Sequence, residues 1–287
     1  MITTSVTEEG FEGILFPGGG KKDKVLIVMS GSDGGMKLSR QEAEFYHQNG
    51  IPALALGLFK TKQTPKDLSS VPVEYVESAV KWLQSQGYQY IGIDGTSKGS
   101  EMALVAASMF PDISCVIVRV PSHFVSEGLT VRGRSKAPSG TSCWSYRGKD
   151  LPYAPYLSRS FNILGTFLKE KEMHIITFNR NKDVKPETLI PIERIQAPVL
   201  FLSSKHDEVW PSYESAAYME QKLTDIGFPF PHKHIAFEYV SHAMLTKLST
   251  IYKIGFKTER QHPAECKADR ETLKKELLNW VNNVWRA

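Results

Sequence analysis

The chain has 287 residues, 41% apolar and 23% charged, the balance of an ordinary globular protein able to bury a sizeable core without cross-links or metals. A formal net charge of +4 is too small to argue for nucleic acid as a partner unless it is clustered. The three cysteines, Cys115, Cys143 and Cys266, make no disulfide framework, and no leader or run of ~18 apolar residues is visible, so the expectation is a cytoplasmic protein with no membrane span. In chain order, residues 13–16 read as a strand closed by Pro17-Gly18-Gly19-Gly20. Residues 24–29 (with Val25, Leu26, Ile27 and Val28) read as a strand buried on both faces. A helix follows at 39–49, with Ser39 as N-cap and Gly50 just past its end. Strand 51–56, helix 73–85 (Val76, Val80 and Leu83 on one face), strand 90–93, helix 98–109 and strand 113–120 continue the alternation.

Such βαβ alternation predicts an α/β fold with a mostly parallel central sheet and helices on both faces. Between 121 and 195 the pattern weakens into Gly, Ser, Pro and basic residues with two helical pieces. That stretch reads as a cap-like insertion over the sheet edge, inside a single α/β domain covering 1–287. Order returns with strand 198–202, helix 213–224, strand 235–239 and a helix over 268–285.

The turn Gly95-Thr96-Ser97-Lys98-Gly99 lies between strand 90–93 and helix 98–109. A serine there stands on a strained strand-to-helix turn at the carboxyl edge of the sheet, above a helix N-terminus that favours developing negative charge. A plain Gly/Ser loop is the structural alternative. A serine nucleophile needs a base, and the base needs a carboxylate to orient it. On this scaffold the acid and then the histidine follow the late strands. Asp207 follows strand 198–202 and is the expected acid; His242 follows strand 235–239 and is the expected base. His206 is too close in sequence to Asp207 to be oriented by it, His232 and His234 precede the last strand, and His262 is the reserve base. The structural alternative for Asp207 is a solvated loop carboxylate.

Oxyanion donors are expected at the Lys98 amide and at the Ser32 or Asp33 amide, in the turn Ser30-Gly31-Ser32-Asp33-Gly34-Gly35, where Gly31 lets the main chain approach the substrate. The insertion interleaves Arg132, Arg134, Lys136, Arg147, Lys149 and Arg159 with Phe124, Trp144, Tyr146, Tyr153 and Tyr156. Such a surface suits an anionic, partly aromatic substrate such as a nucleotide-bearing thioester; the plainer reading is a solvated basic loop with its own small core. No phosphate-binding loop and no Cys/His metal spacing is present, so no cofactor and no metal are expected.

Three segments together resemble the C-terminal catalytic domain of the acyl-CoA thioesterase and bile acid-CoA:amino acid N-acyltransferase family. Gly95-Thr96-Ser97-Lys98-Gly99-Ser100-Glu101-Met102-Ala103-Leu104 is similar to the family's nucleophile turn. Val73-Glu74-Tyr75-Val76-Glu77-Ser78-Ala79-Val80-Lys81-Trp82-Leu83 resembles the helix before it, and Asp207-Glu208-Val209-Trp210-Pro211-Ser212 the segment after the acid. The closing Pro263-Ala264 and Ala268 are also similar. The resemblance implies an α/β-hydrolase fold acting on acyl thioesters such as acyl-CoA, with Ser97, Asp207 and His242 as triad. Gly31, Trp210, Arg132 and Arg134 are the expected substrate-contacting residues. A serine at position 97 resembles the thioesterase members, whereas the amino-acid-conjugating acyltransferase has cysteine there. Two departures from the family are expected: residues 1–287 leave no room for the N-terminal β-sandwich of its two-domain members, and the base lies in Ser241-His242-Ala243 where the family usually has Gly-His followed by Leu or Met. The expected activity is serine hydrolysis of acyl thioesters; a carboxylesterase or peptidase, an acyltransferase, and a non-catalytic binding protein are the rivals.

Overall fold

The structure, a computed structural model, describes residues 1–18, 23–132, 135–156, 161–162, 184–207 and 209–285, with backbone only at 132, 135, 136, 161 and 162. Eight strands make the central sheet: β1 (Ile2–Thr4), β2 (Glu12–Phe16), β3 (Lys24–Met29), β4 (Ala53–Gly57), β5 (Tyr90–Thr96), β6 (Ile113–Arg119), β7 (Val199–Ser204) and β8 (His232–Phe237). Their spatial order is β1-β2-β4-β3-β5-β6-β7-β8. The β1–β2 and β2–β4 pairs are antiparallel and all later pairs are parallel.

Among the described residues the longer helices that cover the sheet are α1 (Lys37–Gln48), α2 (Glu74–Ser85), α3 (Lys98–Met109), α4 (Ser212–Asp225) and α5 (Pro263–Asn279). The central strands are continuous apolar runs because both of their faces are covered. Side chains alternate across the pleat, so Val25, Ile27 and Met29 of β3 pack in the core beneath α2, α3 and α4, while Leu26 and Val28 pack with α1 and α5. Helix α2 shows the sequence logic plainly: Val76, Ala79, Val80 and Leu83, at helical i, i+3, i+4, i+7 spacing, are all buried.

Several boundaries differ from the sequence expectation for identifiable reasons. Ser39 is not an N-cap: α1 begins at Lys37, and the buried Ser39 hydroxyl donates to the Met36 carbonyl at 3.3 Å. The last helix starts at Pro263, whose missing N–H costs nothing in a first turn, and ends in a π-helical turn at Trp280–Val284. His232 and His234 do not precede the last strand but lie on it, and His234 Nε2 is 2.6 Å from the Ser203 hydroxyl of β7.

The described part of the insertion holds short strands that the sequence pattern does not announce, and residues 157–160 and 163–183 of it lie outside the described residues. Glu127–Arg132 and Ser135–Ser142 pair with Phe161–Asn162, and Trp144–Tyr146 pairs with Lys149–Asp150 and Val71–Pro72. Its described helical turns are the 3-10 pieces Pro186–Thr188 and Ile192–Arg194. Phe124, Trp144 and Tyr156 are buried, which assigns those aromatics to a core and not to an open binding face.

The segment after β6 carries the part-buried His123, whose Nδ1 is 3.0 Å from the Ser215 hydroxyl on α4. Burial pushes this imidazole down to about 4. The native state thus refuses a proton that the unfolded chain accepts near pH 6.5, so stability is lost as pH falls from about 6.5 toward 4, by up to about 3 kcal/mol. Replacing His123 by Gln is expected to flatten that part of the stability-versus-pH curve, measured by urea denaturation between pH 7 and 4.

Candidate active site

Ser97 is the single residue between β5 and α3, at φ 56° and ψ −118°. A non-glycine residue avoids this region at a cost of about 1–3 kcal/mol. Its N–H donates to the Arg119 carbonyl at 2.9 Å, and its own carbonyl accepts from the Ser100 N–H at 2.9 Å and the Ser100 hydroxyl at 2.6 Å. The flanking glycines are steric requirements. A Cβ on Gly95 would overlap the Gly99 carbonyl, and one on Gly99 would lie 2.5 Å from the Ser30 carbonyl oxygen. Gly31 faces the serine itself, since a Cβ there would stand 2.8 Å from Ser97 Cβ.

Asp207 and His242 arrive from the loops after β7 and β8. His242 Nε2 lies 2.8 Å from Ser97 Oγ, and His242 Nδ1 lies 2.9 and 3.0 Å from the two Asp207 oxygens. A carboxylate only accepts, so Nδ1 carries the proton and Nε2 turns its lone pair toward the serine hydroxyl. Asp207 Oδ1 also accepts the N–H groups of Val209 (2.9 Å) and Trp210 (3.2 Å), which sets the carboxylate's direction. The three residues are 8%, 6% and 8% exposed in chain order, so these contacts are shielded from bulk water.

Trp210 packs edge-on against the His242 ring, with centroids 5.2 Å apart and planes at 88°. Its Nε1–H donates to the Val120 carbonyl at 2.9 Å, and Val120 is itself held at φ 47°, unusual for a β-branched residue. Lys98 opens α3 directly after the serine. Ser32 and Asp33 lie in the turn closed by the Gly34 N–H on the Gly31 carbonyl (3.4 Å), with the Asp33 carboxylate accepting from the Ser30 hydroxyl at 3.2 Å. Arg134 and the side chain of Arg132 lie outside the described residues. The other histidines stand elsewhere: His206 is 3.7 Å from Glu238, and His262 packs on Tyr239 at 4.9 Å.

Two buried charge clusters beside the serine escaped sequence reasoning. In the first, Lys98 Nζ is 3.1 Å from Glu101 Oε2 and bonds the Ser126 hydroxyl, while Glu101 Oε1 accepts the Ser126 N–H (2.9 Å) and the Trp144 indole N–H (2.8 Å). The Lys98 ammonium also lies 5.4 Å from the Trp210 ring and 5.6 Å from that of Tyr156. The inserted segment is thereby docked onto α3 by hydrogen bonds from Ser126 and Trp144 to an ion pair within that helix. In the second, Arg119 Nε donates to Asp94 Oδ1 at 3.0 Å, and its guanidinium also pairs with Glu42. Burial works against the Arg119 charge, but the Asp94 and Glu42 carboxylates outweigh it and hold the guanidinium protonated. A lone Asp or Arg inside an otherwise apolar strand was the available signal, and both Asp94 and Arg119 fit it.

The strand order and the serine turn define an α/β-hydrolase-fold protein. Residues 71–246 match the family described as BAAT / Acyl-CoA thioester hydrolase C terminal, more than half of the chain, and the chain belongs to that family. It is 26% identical over 205 residues to acyl-coenzyme A thioesterase 1 of Rattus norvegicus, covering 70% of this chain and 44% of the relative. It is also 26% identical over 212 residues to acyl-coenzyme A amino acid N-acyltransferase 1 of Mus musculus, covering 71% and 45%. The chain thus spans less than half the length of these curated relatives. In fold it is similar to Pyrococcus horikoshii acylaminoacyl peptidase, with TM-score 0.59 at 12% identity over 96% of this chain and 40% of that one. Among the described residues no helix is long and apolar enough to cross a membrane, and no group of three or more His, Cys, Asp or Glu is arranged to hold a metal ion.

Replacing Trp210 by Phe keeps a ring against His242 but leaves the buried Val120 carbonyl without its donor. The expected loss of stability is about 1–3 kcal/mol, measured by urea denaturation.

Proposed function

We propose that this chain is a serine hydrolase that cleaves acyl thioesters, acyl-CoA among them, through an acyl-enzyme formed on Ser97. The observation that carries the reading is the continuous Ser97–His242–Asp207 relay, with contacts of 2.8 and 2.9 Å. In the first half-reaction His242 Nε2 takes the Ser97 proton as Oγ attacks the thioester carbonyl. The tetrahedral oxyanion is received by the Lys98 amide and by an amide of Ser32 or Asp33, the turn brought beside the nucleophile by Gly31. Collapse expels the thiol, which leaves with the proton held on His242. Water, deprotonated by the same nitrogen, then releases the acid and restores the serine. Asp207 keeps the proton on Nδ1 and stabilises the imidazolium that forms twice per cycle.

Membership of the thioester hydrolase family and similarity to acyl-coenzyme A thioesterase 1 support thioesters as the substrate class. A serine at position 97, not a cysteine, fits hydrolysis better than transfer to an amine. A fluorophosphonate probe is expected to label the wild-type protein at Ser97 and to leave Ser97→Ala unlabelled; equal labelling of both would overturn the nucleophile assignment. Ser97→Ala and Asp207→Asn are each expected to lower kcat by about 10⁴-fold or more. Side-by-side turnover of acyl-CoA and p-nitrophenyl esters tests the leaving group, with cleavage of the ester alone assigning a carboxylesterase instead.

A further inference from the structure

His242 stands in an irregular stretch after β8 that has no strand or helix to hold its backbone. Within it, Met244 N–H reaches the His242 carbonyl and Leu245 N–H the Ala243 carbonyl, both at 2.8 Å. Polar groups on either side of the histidine go to two separate buried ion clusters. On the far side, Glu42 of α1 accepts the Thr246 N–H through both oxygens (3.1 Å each) and the Thr246 hydroxyl at 2.9 Å. Glu42 is held by Arg119, which also donates to the Met244 carbonyl at 3.4 Å. On the near side, Glu259 accepts the Ser241 hydroxyl at 2.9 Å and the Ser241 N–H at 3.5 Å. Glu259 is held by Arg270 at 2.7 Å, and Arg270 Nε donates to the Leu245 carbonyl at 3.0 Å. None of Glu42, Arg119, Ser241, Thr246, Glu259 and Arg270 is more than 7% exposed.

We propose that the Arg119–Glu42 and Arg270–Glu259 pairs are positioning residues that grip Thr246 and Ser241 and so hold His242 within reach of Ser97. The inference rests on the reading of His242 as the general base. Buried ion pairs are a poor way to gain stability, because desolvation cancels most of their attraction. They do supply strong acceptors of fixed direction in a low-dielectric site, which a loop without a ladder lacks. Arg119 joins both sides of the reaction, because its carbonyl accepts the Ser97 N–H while its guanidinium serves the histidine loop. A shift of about 1 Å in a general base is enough to cost about 100-fold in rate.

The test removes the gripped hydroxyls and leaves both ion pairs intact, using Ser241→Ala, Thr246→Val and the double variant. Fluorophosphonate labelling of Ser97 and steady-state hydrolysis of a p-nitrophenyl ester are read beside urea denaturation. The double variant is expected to lower kcat and the labelling rate by about 10–100-fold with KM within about twofold, and Thr246→Ser is expected to recover most of the loss seen in Thr246→Val. Should the double variant fail to fold, the single variants carry the same comparison. Wild-type labelling rates in variants that unfold more easily would overturn this inference alone. Absence of Ser97-dependent labelling in the wild type would overturn the hydrolase reading and this inference with it.

Discussion

At Ser97 three backbone segments crowd into a space that admits no side chain but the serine's own. The carboxyl end of β5, the first turn of α3 and the loop leaving β3 meet there, and each presents a glycine: Gly95, Gly99 and Gly31. The register Met29↔Gly95 between β3 and β5 aligns the ends of those two strands and sets Ser30 and Gly31 beside Ser97. Left-handed backbone at Ser97 is tolerated because its N–H and carbonyl both find partners at 2.9 Å. Every other element of the site is placed relative to this contact. Its glycines are therefore fixed by volume, and the positive φ turns the hydroxyl out over the sheet edge.

Around that point the interior changes character. The two faces of the sheet are almost wholly apolar, yet the residues touching the serine turn include Lys98, Glu101, Asp94 and Arg119, all at most 2% exposed. Their placement follows a division of labour. Lys98 and Glu101 join the turn to the inserted segment through Ser126 and Trp144, while Arg119 and Asp94 join it to α1 through Glu42 and Tyr46. Hydrophobic contact is non-directional and supplies most of the stability; these few charged contacts are directional and supply the geometry. Trp210 combines the two, filling the wall beside His242 while its indole nitrogen ties down Val120.

Much of this was readable from the chain because parallel strands buried on both faces appear as unbroken apolar runs. Residues 24–29 and 98–109 were read at their observed limits, since a turn or a glycine punctuates each end. Ser97, Asp207 and His242 are picked out by their order after β5, β7 and β8, and the fold brings those three side chains together. The ion clusters were hidden by distance: Glu42 and Thr246 are 204 positions apart, and nothing local in either stretch names the other. The inserted strands misled for a different reason. Glu127–Arg132 and Ser135–Ser142 lack clean two-residue alternation, and their order derives from pairing with each other and from Leu68, which bridges to Leu129.

The π-helical turn after α5 has a consequence for how the molecule folds. Lys24 on β3 donates to the carbonyls of Val281 and Trp285, the latter 261 positions later, and the Trp285 indole donates to Ser114 at 3.1 Å while its ring lies against Gly92. The face of the sheet that α1 covers in part is thus completed only when a turn far along the chain docks on it. Contacts of such long sequence separation carry a large loop-closure cost, so this face of the sheet is expected to order late in folding and to open early in unfolding.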